Sequence, residues 1–168
     1  TGAAYRRTAT LEVATPPPTV LYDLPLDSDP GWLTEGQWAF GVPLGGGTLH
    51  HDPTAGHTGM NVYGYNLAGD YPNYMGVRRL TTSAFNFSDR SGVALRFWRW
   101  LGIEDGWYDH AGVEVSNDGA TWTSVWEHTG ARICDGAWQE VTYDISALAD
   151  GQPTVHIRWS MGETDGTE

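Results

Sequence analysis

The stretch "RFWRWLGIEDGWYDHAGVEVSNDGATW", Arg96 to Trp122, puts four tryptophans and five carboxylates into 27 residues, and its spacing decides what kind of chain this is. In an extended strand, successive side chains point to opposite faces. With that period of two, Val93, Leu95 and Phe97 share one face of "VALRFWRW", while Arg96, Trp98 and Trp100 share the other. Val113 and Val115 likewise oppose Glu114 and Ser116. "NDG", Asn117 to Gly119, then supplies a hairpin turn, because Asn and Asp tolerate positive φ.

The same alternation recurs along the chain in "QWAFGVP", "LTTSAFNFS", "TWTSVWE", "WQEVTYDIS" and "TVHIRWSMG". In the last of these, Val155, Ile157, Trp159 and Met161 point together and leave His156, Arg158 and Ser160 opposite. Turns rich in Gly, Asp and Asn separate the runs, and apolar residues at helical spacing are scarce. Pro43 to Gly59 and Ala68 to Arg79 have no periodicity and read as loops. A chain of 168 residues with this pattern is one all-β domain, long enough to bury a core of its own. "YRRTATLEV", Tyr5 to Val13, also alternates, and "TPPPTV", Thr15 to Val20, ends it, since prolines fix φ and lack a donor. The expected organisation is a strand over 1–14, belonging to an upstream domain or donated to this one, a Pro-rich linker over 15–20, and the domain proper over 21–168.

The formal charge is −12, and all nine cationic side chains are arginine. Such a surface repels phosphate backbones and anionic headgroups, which excludes nucleic acid as the expected partner. No apolar run approaches the roughly 20 residues that span a bilayer, so membrane insertion is not expected either. Cys134 has no second cysteine to pair with in the chain.

Oxygen-bearing residues concentrate on the loops: Asn66, Asp70 and Asn73 in one, Glu104, Asp105 and Asp109 in another, Asp27 and Asp29 in a third. Hard divalent cations take such donors, but Asp and Asn also serve turns by bonding their own backbone. His50, His51 and His57 lie in a Gly-rich loop that offers zinc little preorganisation. Ser116, His110 and Asp109 lack the setting of a nucleophile triad, and a pair such as Glu114 with Glu104 or Asp109 is expected from composition alone, so no catalytic residue is assigned. Trp32, Trp38, Trp122, Trp138 and Trp159 read as core or strand-edge residues. Trp98, Trp100 and Trp107 are the better candidates for exposure. The alternation points to one sheet presenting Arg96, Trp98, Trp100, Glu114, His156 and Arg158 on its outer face, a set suited to a glycan or a protein ligand.

Five separated segments, "DPGWLTEGQWAFGVP", "DPTAGHTGMNVYGYNLAGDY", "LTTSAFNFS", "LRFWRWLGIEDGWYDHAGVEVSNDGATW" and "WQEVTYDISALADGQPTVHIRWSMG", together resemble the MAM-like jelly-roll accessory domains of secreted bacterial peptidases and other exoenzymes, and more distantly the cleaved adhesin domains. The resemblance spans about residues 21 to 165. It implies a jelly-roll β-sandwich of two antiparallel sheets that is non-catalytic and calcium-stabilised, with Asp70, Glu104, Asp109 and Asp27 as metal ligands. It further implies a secreted or cell-surface protein in which the domain targets or anchors a larger polypeptide to an extracellular polysaccharide or protein. One departure stands out. Such domains close with a Gly-Trp-Asn-Ile-Asp-Asp-like strand, which does not follow "MGETDGTE" here. The closing strand is therefore expected to be absent, which makes a spacer or assembly subunit that accepts a strand, from "YRRTATLEV" or a neighbouring subunit, the alternative reading.

Overall fold

The alternating runs become strands in the computed structural model, which describes residues 17–48 and 51–166. In chain order these are β1 (Leu33–Thr34), β2 (Trp38–Gly41), β3 (Val62–Tyr65), β4 (Arg78–Thr81), β5 (Ala94–Arg99), β6 (Gly102–Ile103), β7 (Ala111–Ser116), β8 (Thr123–Glu127), β9 (Ile133–Cys134), β10 (Gln139–Asp144), a single helical turn α1 (Ser146–Ala149), and β11 (His156–Met161). The strand expected over 1–14 lies outside the described residues, and of the linker only 17–20 falls inside, exposed and without regular structure.

All pairings among the described residues are antiparallel. One layer is a five-stranded sheet in the order β1-β4-β11-β7-β8, and β5–β10, β2–β3 and β6–β9 form separate two-stranded pieces. The core forms where apolar faces meet. Val113, Val115 and Ile157 of the large sheet and Val155 just before β11 are at most 5 % exposed, and Leu95, Phe97 and Tyr143 of the β5–β10 pair pack onto that cluster. Burying each such aliphatic side chain contributes about 1.5–3 kcal/mol. An aromatic column crosses the interior: Tyr63 stacks on Trp32 at 4.9 Å, Trp32 on Trp159 at 5.6 Å, and Phe97 meets Trp159 edge-on at 5.4 Å.

Two local readings change, and one is sharpened. The strand expected in "LTTSAFNFS" starts earlier, at Arg78, and ends at Thr81, with Phe85 adding only a single bridge to Val155. In the β7–β8 hairpin the positive φ falls on Gly119 (+74°), not on Asn117 or Asp118. Asp118 instead accepts the N–H groups of Ala120 and Thr121 at 2.8 and 2.7 Å, fixing the turn as a cap does. Of the two positions expected for Trp122, core or strand edge, it takes the second, immediately before β8. It lies against the Arg158 guanidinium, 4.0 Å from its ring centroid, on the outside of the large sheet.

Candidate functional site

Three chain segments converge beyond the end of the large sheet. After β11 the chain keeps pairing with the residue before β7: Gly162 N–H donates to His110 O at 2.8 Å and His110 N–H to Glu163 O at 3.0 Å. The next two residues are held by the loop preceding β4. Thr164 Oγ1 donates to Pro72 O at 2.9 Å and accepts Met75 N–H at 3.1 Å, and Tyr74 N–H donates to Asp165 O at 3.0 Å. The third segment is the turn after β6, where Tyr108 and Asp109 N–H groups both donate to Asp105 O. Gly106 makes this turn possible, since a Cβ there would stand 2.7 Å from His128 O.

This convergence brings carboxylate oxygens of Glu104, Asp109 and Asp165 within 4.8 Å of one another. Asp109 is 2 % exposed. Its Oδ1 accepts Asp165 N–H at 3.1 Å and its Oδ2 accepts the Tyr71 hydroxyl, which in turn accepts Glu104 N–H at 3.3 Å. Burial, and then the bond to Asp109, pushes the Tyr71 phenol well above its ordinary value, so it stays a neutral donor. Arg132 stands 3.7 Å from Glu104 Oε1, while Glu104 Oε2 is buried without a hydrogen-bond partner. Clustered carboxylates repel one another, and an orphaned buried carboxylate oxygen is costly. The group is thus a hard, all-oxygen donor set able to hold a metal ion, and it fits an oxygen-seeking cation better than zinc, which prefers nitrogen and sulfur.

Of the four expected metal ligands, Glu104 and Asp109 meet in this cluster, and Asp70 and Asp27 stand outside it. The Asp70 carboxylate accepts the Thr48 N–H and hydroxyl, tying two loops together, and Asp70 O accepts Asn66 Nδ2 at 2.5 Å. Asp27 lies beside Gly59, and its carbonyl accepts Asn61 Nδ2 at 3.4 Å. Asp29 serves its own turn, accepting Gly31 N–H at 2.8 Å and the Tyr63 hydroxyl at 2.5 Å. Burial, then the bond to Asp29, pushes the Tyr63 phenol up to about 12. Asp165 was missed by sequence reasoning; its only signal is an acidic residue soon after a strand.

The six residues expected on one outer face divide between two sheets. Glu114 and Arg158 are register partners on β7 and β11, and the guanidinium grips the carboxylate at 2.6 and 3.0 Å with Trp122 over it. On the same sheet, the His156 ring contacts Thr82 O at 3.1 Å. Arg96 and Trp98 sit on β5, with Trp100 just past its end, and belong to the β5–β10 pair. There Trp98 is 41 % exposed and stacks on His57 at 3.6 Å, nearly parallel. Arg96 pairs loosely with Glu140 at 3.5 Å. Trp100 and Trp138 meet edge-on at 5.8 Å and wall a cleft of about 550 Å³ that also takes in Asp52 and Asp135. Burial, then the nearby Asp70 charge, pushes the Asp52 carboxyl up. Trp107, expected to be exposed, is 85 % exposed, beside the acidic cluster.

No helix of the described residues is long and apolar enough to cross a membrane. No protein-family model matches the chain. Among curated proteins, it is similar to Bacillopeptidase F of Bacillus subtilis (strain 168), with 30 % identity over 123 residues. The alignment takes in 70 % of this chain and 8 % of that protein's length, so the likeness is to one small part of a far larger polypeptide.

Proposed function

We propose that this chain is a non-catalytic extracellular module that binds a glycan or protein ligand and so targets or anchors a larger secreted or surface protein, with calcium stiffening its loops. The observation that carries the reading is the outer face of β5–β10. Trp98 and His57 form an exposed aromatic platform beside Arg96 and Glu140, and the Trp100–Trp138 cleft adjoins it. Aromatic faces stack on sugar rings or on a partner's apolar groups, and the neighbouring charged groups take hydroxyls or amides. A cleft of this volume is within the usual range for a small ligand or a saccharide unit. The match to a small part of a protein named as a peptidase supports an accessory role within a larger chain.

Calcium belongs to this reading as a stabiliser. Glu104, Asp109 and Asp165 would hold it, and its charge would offset the repulsion among them while fixing the three converging segments. Affinity electrophoresis through a panel of soluble polysaccharides, run with calcium and again with EDTA, tests both parts. Retardation by one polymer that is lost in Trp98→Ala, with the fold retained, is the expected result. If no polymer and no extracellular matrix protein retards the chain, the binding reading fails; if EDTA leaves the melting temperature unchanged, the calcium reading fails.

A further inference from the structure

The β5–β10 register carries one step past the strands. Arg99 pairs with Gln139, so Trp100 and Trp138 stand opposite each other and, by the two-residue period, turn to the same outer face as Trp98 and its partner Glu140. Their indoles meet at 5.8 Å and 76° and form two walls of the cleft described above; the loop at 51–56 forms the third. Backbone bonds pin that loop: Asp52 N–H donates to Gly46 O at 3.0 Å, Gly45 N–H to Pro53 O at 3.2 Å, and Leu44 N–H to Leu67 O at 2.8 Å. Gly46 is required there, because a Cβ would stand 2.2 Å from Ala68 O.

Among the described residues, three titratable side chains line the cleft, His51, Asp52 and Asp135. Asp135 is engaged: its carboxylate takes the Arg99 guanidinium at 3.0 and 3.4 Å and the Leu101 N–H at 2.9 Å. Asp52 has no such counterpart. It is half-buried, and no donor or cation among the described residues reaches its carboxylate. Burial, and then the like charge of Asp70, push its carboxyl up. A carboxylate only accepts, and one short of a donor beside two indoles favours an organic cation. The formal charge of −12 draws cations to the surface and turns anions away.

We propose that this cleft binds a protonated amine borne on a glycan, an amino-sugar unit, with the ammonium against Asp52 and the sugar ring against Trp100 or Trp138. The proposal rests on the ligand-binding reading of this face and narrows its ligand to a cationic polysaccharide. A neutral sugar stacks on the same indoles, but only an ammonium brings Asp52 both donors and the opposite charge. A glycan suits the face better than a lone lysine side chain. Trp98 and His57 continue the aromatic surface two residues along β5, where a second ring of the same polymer has a surface to stack on.

Isothermal titration calorimetry of the 168-residue chain at about pH 7 tests it, with a β-1,4-linked glucosamine tetramer and its fully N-acetylated counterpart as probes. The two share a backbone and differ in charge. The expected result is at least about tenfold tighter binding of the glucosamine tetramer. Asp52→Asn should remove that preference without lowering the melting temperature. Asp89→Asn should retain it, since Asp89 is an exposed carboxylate in the loop at the other end of β5 and reports only the general pull of an acidic surface. Equal affinity for the two tetramers, or a preference that survives Asp52→Asn or vanishes in Asp89→Asn, overturns the proposal. Binding of the acetylated tetramer alone also overturns it, while leaving the chain a glycan-binding module. Binding of Nα-acetyl-lysine amide but of neither tetramer assigns the cleft to a protein ligand and overturns the glycan. Binding of none of the three overturns the amine site, and the broader reading then stands or falls on its own panel of polysaccharides and matrix proteins.

Discussion

On the outside of the five-stranded sheet, an arginine, a glutamate and a tryptophan are locked together: Arg158 clasps Glu114 through two hydrogen bonds with Trp122 stacked above, and the pair's side chains are only 16 % and 23 % exposed. On the outside of β5–β10 the same three residue types stand apart. Arg96 and Glu140 are 57 % and 44 % exposed at 3.5 Å, and Trp98 lends its ring to a histidine from a loop. The first set has spent its donors and acceptors on itself; the second leaves much of its polar surface in solvent. Residue type does not distinguish a fastened set from an open one, whereas partner geometry does.

Substitutions can break this contrast, and their expected effects fall in order. Glu114→Ala leaves a largely buried guanidinium unpaired and should lower stability by about 2–4 kcal/mol in urea unfolding, with ligand retention unchanged in the folded fraction. The proposed calcium ranks next: a cation bound at the acidic cluster at a hundred times its dissociation constant would add about 2.7 kcal/mol, so on that proposal EDTA should lower the melting temperature measurably and Asp109→Asn should abolish the response. Trp98→Ala should cost less than about 1 kcal/mol of stability while removing ligand retention, the reverse of Glu114→Ala. Glu140→Ala should change stability by no more than about 0.5 kcal/mol, as exposed pairs do. A core-like loss in Glu140→Ala would erase the distinction between the two faces.

The smallest effect is a pH dependence in the β7–β8 turn. N–H groups of Thr121 and Ala120, and then the Ser116 hydroxyl, hold the Asp118 carboxyl well below its ordinary value of 3.8. A group depressed on folding contributes its full stability above the unfolded value and loses it as pH falls through the folded one. Acid titration below about pH 4 should therefore loosen this hairpin in the native chain, and Asp118→Asn should flatten that part of the stability curve.

Much of the architecture was legible because it rests on local alternation. The inward set Val155, Ile157 and Met161 and the outward pair Arg96 and Trp98 follow from a two-residue period. Alternation assigns a face but not a sheet, and for that reason β5 and β11 looked like neighbours although they lie in different layers. The acidic cluster was half legible. Glu104 and Asp109 share one loop, whereas Asp165 arrives from the far end of the chain through Thr164 and its bonds to Pro72 and Met75, a pairing that no short-range pattern encodes. Asp70 drew notice as a carboxylate, yet the residue that reaches the site is its neighbour Tyr71.

Thr164 and Asp165 are held laterally to the loop at 72–75 and to Asp109 by short polar bonds. Tension applied along the chain beyond this point would meet those bonds and the carboxylate cluster before it reached β11. A cation held at the cluster would raise the force needed to peel β11 from the sheet, and withdrawing it would make that joint compliant.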